Sequence, residues 1–181
     1  MIEIKLSQRA KPSYSGILPS AKITPEIAEI RGVIMDKDIL SLPTHSAFST
    51  PLEFYHFIKQ LRDLSNGKPI GFKLCISSNV EFFSICKAML ETEIKPDFIT
   101  VDGAAGGTGV APLEFSHHIG MSLEDSLIFV HNALVDYGLR DEIRIITISK
   151  IATDFDMVRL FAIGTDTCNS ARAMMLTIGC I

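Results

Sequence analysis

The chain has 181 residues, of which 47% are hydrophobic and 21% charged. That is enough apolar material for one core of ordinary size, and too much for a disordered chain. With 12 glycines and 8 prolines it is not collagen-like, and a formal net charge of -4 leaves no large positive field for a nucleic-acid backbone. The longest apolar runs fall far short of the roughly 20 residues that cross a bilayer, and Met1-Ile2-Glu3-Ile4-Lys5 does not read as a secretion signal. These readings predict a single cytoplasmic domain with no membrane and no nucleic-acid partner.

In chain order, Ile2 to Leu6 alternates like a strand. The segment from Lys11 to Ser49 carries Pro12, Pro19, Pro25 and Pro43 and reads as irregular, a lid or binding loop. Leu52 to Leu64 is helical, with Pro51 after Ser49-Thr50 as its start signal. Ile70 to Ile76 is β-rich, Val80 to Glu91 helical, and Phe98 to Val101 β-rich. Leu123 to Tyr137 is a helix stopped by Gly138; Ile143 to Ile148 is a strand, Phe155 to Ile163 a helix, and Thr165 to Asn169 a weaker strand. Strands alternating with helices predict an α/β fold of parallel strands with outer helices.

Several residues could carry chemistry. Asp102-Gly103-Ala104-Ala105-Gly106-Gly107-Thr108-Gly109 follows a strand and could bring backbone N–H groups close to a phosphate or cofactor, or form a simple glycine turn. Lys73 lies mid-strand, where an unpartnered buried charge is costly, so it points to an active site or snorkels at the sheet edge. Lys5 and Lys150 sit similarly, and three such lysines suggest an anionic ligand. Asp102 and Asp166 lie near strand ends, as ligand-orienting groups or as turn formers. Arg172 opens the last helical segment after Asn169-Ser170-Ala171, where an arginine and a helix start could share a phosphate. His45, His56, His117, His118 and His131 show no metal-ligand spacing. Cys75, Cys86 and Cys168 read as reduced core thiols.

At these residues the sequence resembles the flavin-binding synthase domain of glutamate synthase, and most of all the stand-alone glutamate-synthase-like FMN proteins of bacteria and archaea. The resemblance rests on Met1 to Gln8, Ile23 to Gly32, Phe72-Lys73-Leu74-Cys75-Ile76, Asp102 to Pro112, Gly138-Leu139-Arg140-Asp141 and Asn169 to Met175. It implies part of a TIM (β/α)8 barrel holding FMN at the C-terminal ends of its strands. It also implies an oxidoreductase that reduces the imine of 2-oxoglutarate and ammonia to L-glutamate. Lys73 then matches a catalytic lysine beside flavin and substrate, and Lys5, Gln8 and Lys11 match substrate-binding positions. Gly103, Gly106, Gly107, Thr108, Ser149, Lys150, Gly164 and Arg172 match the flavin site. Cys180 matches the first of three cysteines holding an iron–sulfur cluster.

The chain also departs from the family pattern. Where the family usually reads SQGAKPGxGG, this chain has Arg9, Ser13 and Ser15 in place of glycines. Ser149 replaces a glycine at the phosphate site, and Asp154 adds a negative charge nearby. The cluster is not expected to form from Cys180 alone. Residues 1–181 are expected to form one domain that is incomplete at both ends, since a whole barrel uses about 250 residues. It would work as a homo-oligomer or completed by a partner, alongside an electron donor or a glutaminase. The alternative is a catalytically inactive piece that binds a partner.

Overall fold

The computed structural model describes residues 1–7, 17–40, 45–105 and 118–179. Gln8, Lys11, Gly106, Gly107, Thr108 and Cys180, together with the substituted glycine positions Arg9, Ser13 and Ser15, lie outside these residues. In chain order the elements are β1 (Ile2–Lys5), β2 (Ile17–Leu18), α1 (Pro25–Arg31), β3 (Ile39–Leu40), α2 (Pro51–Leu64) and β4 (Ile70–Leu74). They continue with α3 (Asn79–Thr92), β5 (Phe98–Asp102), α4 (Leu123–Asp136), β6 (Arg144–Ile148), α5 (Asp154–Ile163), β7 (Thr167–Asn169) and α6 (Ala171–Thr177).

β1, β4, β5, β6 and β7 form one parallel sheet in that order. Each strand pairs with the strand before it in the sheet, so the chain winds steadily in one direction. This is the α/β fold of parallel strands that the alternation of elements predicts, and its sequential strand order fits one arc of the (β/α) barrel that the resemblance implies. The period of two divides the strand side chains between two faces. Ile4, Ile70, Phe72, Leu74, Ile99, Val101 and Ile145 point to the helical layer and join one core with Phe54, Ile58, Phe82, Met89, Leu127, Val130, Leu134 and Leu160.

The opposite face is built in rows. Glu3, Gly71, Phe98 and Arg144 are in register; above them Lys5, Lys73, Thr100, Ile146 and Thr167 cross all five strands; above those stand Asp102, Ile148 and Asn169. Polar and charged side chains therefore collect on this inner face toward the C-terminal ends of the strands. Gly71 is what lets the lowest row close, because the ring and carbonyl of Phe98 lie where its Cβ would be.

At the N-terminal ends the same device appears twice. Asp97 donates its N–H to the Ile70 carbonyl (2.8 Å) and accepts the Ile70 N–H (2.7 Å), while Arg62 donates to its carboxylate (2.8 Å). Asp166 repeats this two strand pairs further on, with the Ile145 carbonyl (2.8 Å), the Ile145 N–H (2.7 Å) and Arg140 (2.8 Å). Each aspartate locks the start of the preceding strand by accepting a backbone N–H there.

The segment expected to be irregular contains more structure than its prolines suggested. The hydroxyl of Thr24 accepts the Ile27 N–H (3.2 Å), Pro25 occupies the first turn, and Gly32 ends α1 at φ 62°. Proline at a helix start removes no bond the helix needs. β2 and β3 pair antiparallel within the same segment.

Candidate functional site

The site is built at the C-terminal ends of β1, β4 and β5. Lys73 is fixed in the middle of β4, and its ammonium lies 3.1 Å from the carboxylate of Asp102, the last residue of β5. The two side chains are 11% and 1% exposed, so this is an ion pair taken almost wholly out of water. Asp102 stands one row above Thr100, the register partner of Lys73, which draws the ammonium diagonally toward the strand ends. Lys5 is the register neighbour of Lys73 on the other side and is exposed. Thr100 donates its hydroxyl to Glu3 (2.5 Å), which ties β1 to β5 across β4.

Cys75 follows Lys73 on the same face. Burial pushes its thiol up to about 12, with the Asp102 carboxylate adding to the rise and Lys73 opposing it. Burial alone lifts Cys86 to about 12. Among the described residues Cys75, Cys86 and Cys168 are free thiols, the first two buried. Because the folded state holds both thiols protonated, their contribution to stability is complete below the ordinary cysteine range and is lost as pH rises toward 12. Unfolding followed from pH 7 to 10.5 should therefore show stability falling above about pH 9, and Cys75 and Cys86 should resist a thiol reagent at pH 8 in the native chain. A flat profile with prompt labelling would contradict this.

A second group of residues gathers after β6 and β7. Ser149 donates its hydroxyl toward the carbonyls of Gly103 (3.4 Å) and Ala105 (3.5 Å), joining the β6 turn to the turn after β5. Lys150 is exposed, with a left-handed backbone at φ 44°. Ser170 donates to the Ile151 carbonyl (2.7 Å), bringing the turn before α6 against the turn that holds Lys150. Arg172 is exposed on the first turn of α6.

The start of α5 carries a capping box. The Thr153 hydroxyl accepts the Asp156 N–H (3.1 Å), while the Asp156 carboxylate accepts the N–H groups of Thr153 (3.0 Å) and Ala152 (3.3 Å). The Thr153 N–H is the main cause holding the Asp156 carboxyl below the usual carboxylate range. Lys150 and Arg172 are the exposed cations on the neighbouring turns.

Two of the expected positions lie elsewhere. Gly164 caps the C-terminus of α5 at φ 128°, with the His131 ring where a Cβ would be, and its carbonyl accepts from Arg140 (2.9 Å). It sits beside Asp166 at the N-terminal ends of the strands, opposite the lysines, and its glycine serves packing there. Asp166 is likewise at that end, where it forms the strand lock described above. Gly103 is at the expected end of the sheet, but its missing side chain makes room for Leu123 at the start of α4. The sequence does not pair Lys73 with Asp102, although Phe98-Ile99-Thr100-Val101-Asp102 carries a signal: polar residues two apart in an apolar strand share one face.

A family model described as a conserved region in glutamate synthase matches residues 1–181. The chain is 37% identical over 179 residues to the glutamate synthase large subunit-like protein YerD of Bacillus subtilis, covering 99% of this chain and 34% of that protein. It is 31% identical over 180 residues to the archaeal glutamate synthase (NADPH) of Methanocaldococcus jannaschii, again covering 99% of this chain and 34% of the relative. A solved flavocytochrome b2 variant with sulfite bound aligns with a TM-score of 0.48 and 14% identity, over 77% of this chain and 31% of that one.

The described strands define a parallel α/β sheet with outer helices and with charged side chains at the C-terminal ends of its strands. The chain belongs to the glutamate synthase family, and it spans about a third of the length of these two curated relatives. No described helix is long and apolar enough to cross a membrane.

Proposed function

We propose that this chain forms the flavin-binding wall of a glutamate synthase-type oxidoreductase, which carries out FMN-dependent reductive amination of 2-oxoglutarate to L-glutamate. The observation that carries the reading is the buried Lys73–Asp102 pair, set beside Lys5 on a polar inner face at the C-terminal ends of parallel strands. Active sites of (β/α) barrels assemble at that end, whereas the opposite end serves stability, as the Asp97 and Asp166 locks do here.

The donor set fits FMN and a dicarboxylate. Lys150 and Arg172, on two turns joined by the Ser170 hydrogen bond, would hold the phosphate. Lys73 would reach the ring and the substrate together, and Lys5, with Gln8 and Lys11, would take the substrate carboxylates. Gly103, Gly106, Gly107 and Thr108 would line the flavin, with Ser149 fixing the neighbouring turn. Bound FMN supplies the hydride chemistry. The protein's own part is to hold the oxoacid by its charges and to donate a proton or hydrogen bond from the Lys73 ammonium. Cys180 would contribute to an iron–sulfur cluster only with ligands from elsewhere.

The activity is tested by supplying the full chain with reduced FMN, 2-oxoglutarate and ammonium and measuring L-glutamate. Glutamate should form faster than in the mixture without protein, and Lys73→Met should remove the excess. Formation at the protein-free rate would overturn the reading. A second reading, a subunit piece completed by a partner, is favoured by β1 and β7, each paired on one side only among the described residues. It predicts association into a defined oligomer or with a partner chain, and a stable monomer by light scattering would count against it.

A further inference from the structure

We infer that the cleft between α3 and α4, on the outer layer of helices, binds a linear polyamine. This cleft is separate from the proposed flavin site. Its residues belong neither to the Lys73 row nor to the turns of Lys150 and Arg172, and it can be filled whether or not the chain holds a flavin.

The cleft measures about 370 Å³, within the range of small-molecule sites. Along α4 it is lined by Asp125, Phe129, Asn132 and Asp136, at spacings of four, three and four that keep side chains on one helical face. Asn79 and Phe83, one turn apart on α3, line the other side. The rings of Phe83 and Phe129 meet edge to face with their centroids 5.3 Å apart, so the middle of the cleft is aromatic. A carboxylate stands toward each end of α4, with carboxamides from both helices between them and across from them.

The two carboxylates are three helical turns apart, about 16 Å along one stripe. A single metal ion or a single ammonium group cannot reach both. A linear chain with ammonium groups at that separation can. Its methylenes would lie over the two rings, its inner secondary ammonium groups would donate to the amide oxygens of Asn132 and Asn79, and its ends would meet Asp125 and Asp136.

The placement of Asp136 points the same way. It is the last residue of α4, where the negative end of the helix dipole repels a carboxylate, and the last turn holds no basic residue to offset this. Lys87, one turn beyond Phe83 on α3, does not line the cleft and forms no ion pair among the described residues. Asp125, by contrast, sits in the favourable first turn and accepts the Ser122 hydroxyl (2.7 Å). A cationic ligand relieves the repulsion at the end where the helix itself supplies no relief.

The test is a calorimetric titration of spermine into the full chain at low ionic strength, without FMN, so that its outcome is independent of the glutamate assay. Binding should saturate near one spermine per chain. Asp136→Asn should weaken it about fivefold, the effect of one exposed ion pair, while Asp63→Asn, an equal loss of charge on the exposed side of α2, should change it less than twofold. Asp136→Asn removes a carboxylate from an exposed helix end and should not lower the thermal midpoint, which separates lost binding from lost fold. Dodecamethylenediamine, whose two ammonium groups span the cleft, should bind more tightly than hexamethylenediamine, which carries the same charge on a shorter chain. Heat that never saturates, equal weakening by Asp63→Asn and Asp136→Asn, or equal affinity for the two diamines would overturn the inference.

Discussion

Lys73→Met is expected to destabilise the chain by roughly 3 kcal/mol, as when one partner of a buried ion pair is removed and the other charge stays behind. Asp102 is 1% exposed on the side chain and would keep its carboxylate in a site built around a cation. Replacing both partners by apolar groups of similar size removes the stranded charge. The double variant Lys73→Met/Asp102→Leu should accordingly unfold within about 1 kcal/mol of the native chain. Urea unfolding of the four proteins in this cycle measures the coupling directly. If the two substitutions add, with the double variant less stable than either single one, the pair does not act as a unit. Recovered stability without glutamate formation in the double variant would mark the pair as present for function.

Gly71→Ala is expected to be at least as damaging, roughly 3 kcal/mol or more, because the clash falls on backbone as well as side chain. A Cβ at this position would lie 2.4 Å from the Phe98 carbonyl oxygen and 2.5 Å from two of its ring carbons. The ring could turn, but the carbonyl belongs to the neighbouring strand, so β4 and β5 would have to part at the base of the Lys73 row. Adding Phe98→Ala should therefore give no rescue. The expected readout is low soluble yield and a large drop in thermal midpoint for both variants. A midpoint near the native value for Gly71→Ala would show that the strand pair yields easily.

The strands and the long helices were legible because their signals are local and repeated. Ile2 to Leu6 and Ile143 to Ile148 show β-rich runs, and Pro51 and Gly138 stand at the ends of helices where their backbone preferences put them. α1 was hidden by Pro25, which reads as a breaker unless Thr24 before it and Gly32 after it are weighed together; α1 also buries no residue, so no apolar stripe announced it. The site was legible only in part. Lys73 stands out by its charge in an apolar run, but the identity of its partner depends on the register of β4 against β5, which no spacing in the sequence reports. For the same reason Asp166 and Asp102 looked alike along the chain. One locks the start of a strand and the other holds a lysine at the end of one, and only the direction of the sheet separates them. Gly164 shows the converse case, a position matched by family resemblance whose backbone serves the packing of His131 at the far end of the sheet.

The proposed binding of a flavin at the charged ends of these strands is tested by titrating FMN into the full chain while following flavin fluorescence, with the oligomeric state measured in the same sample. Quenching should saturate near one FMN per chain, with binding too weak to survive gel filtration because Ser149 and Asp154 stand at the proposed phosphate corner, and weakened about tenfold by Lys150→Ala or Arg172→Ala, as loss of a charge-assisted contact implies. Quenching that never saturates, or that both variants leave unchanged, would contradict it.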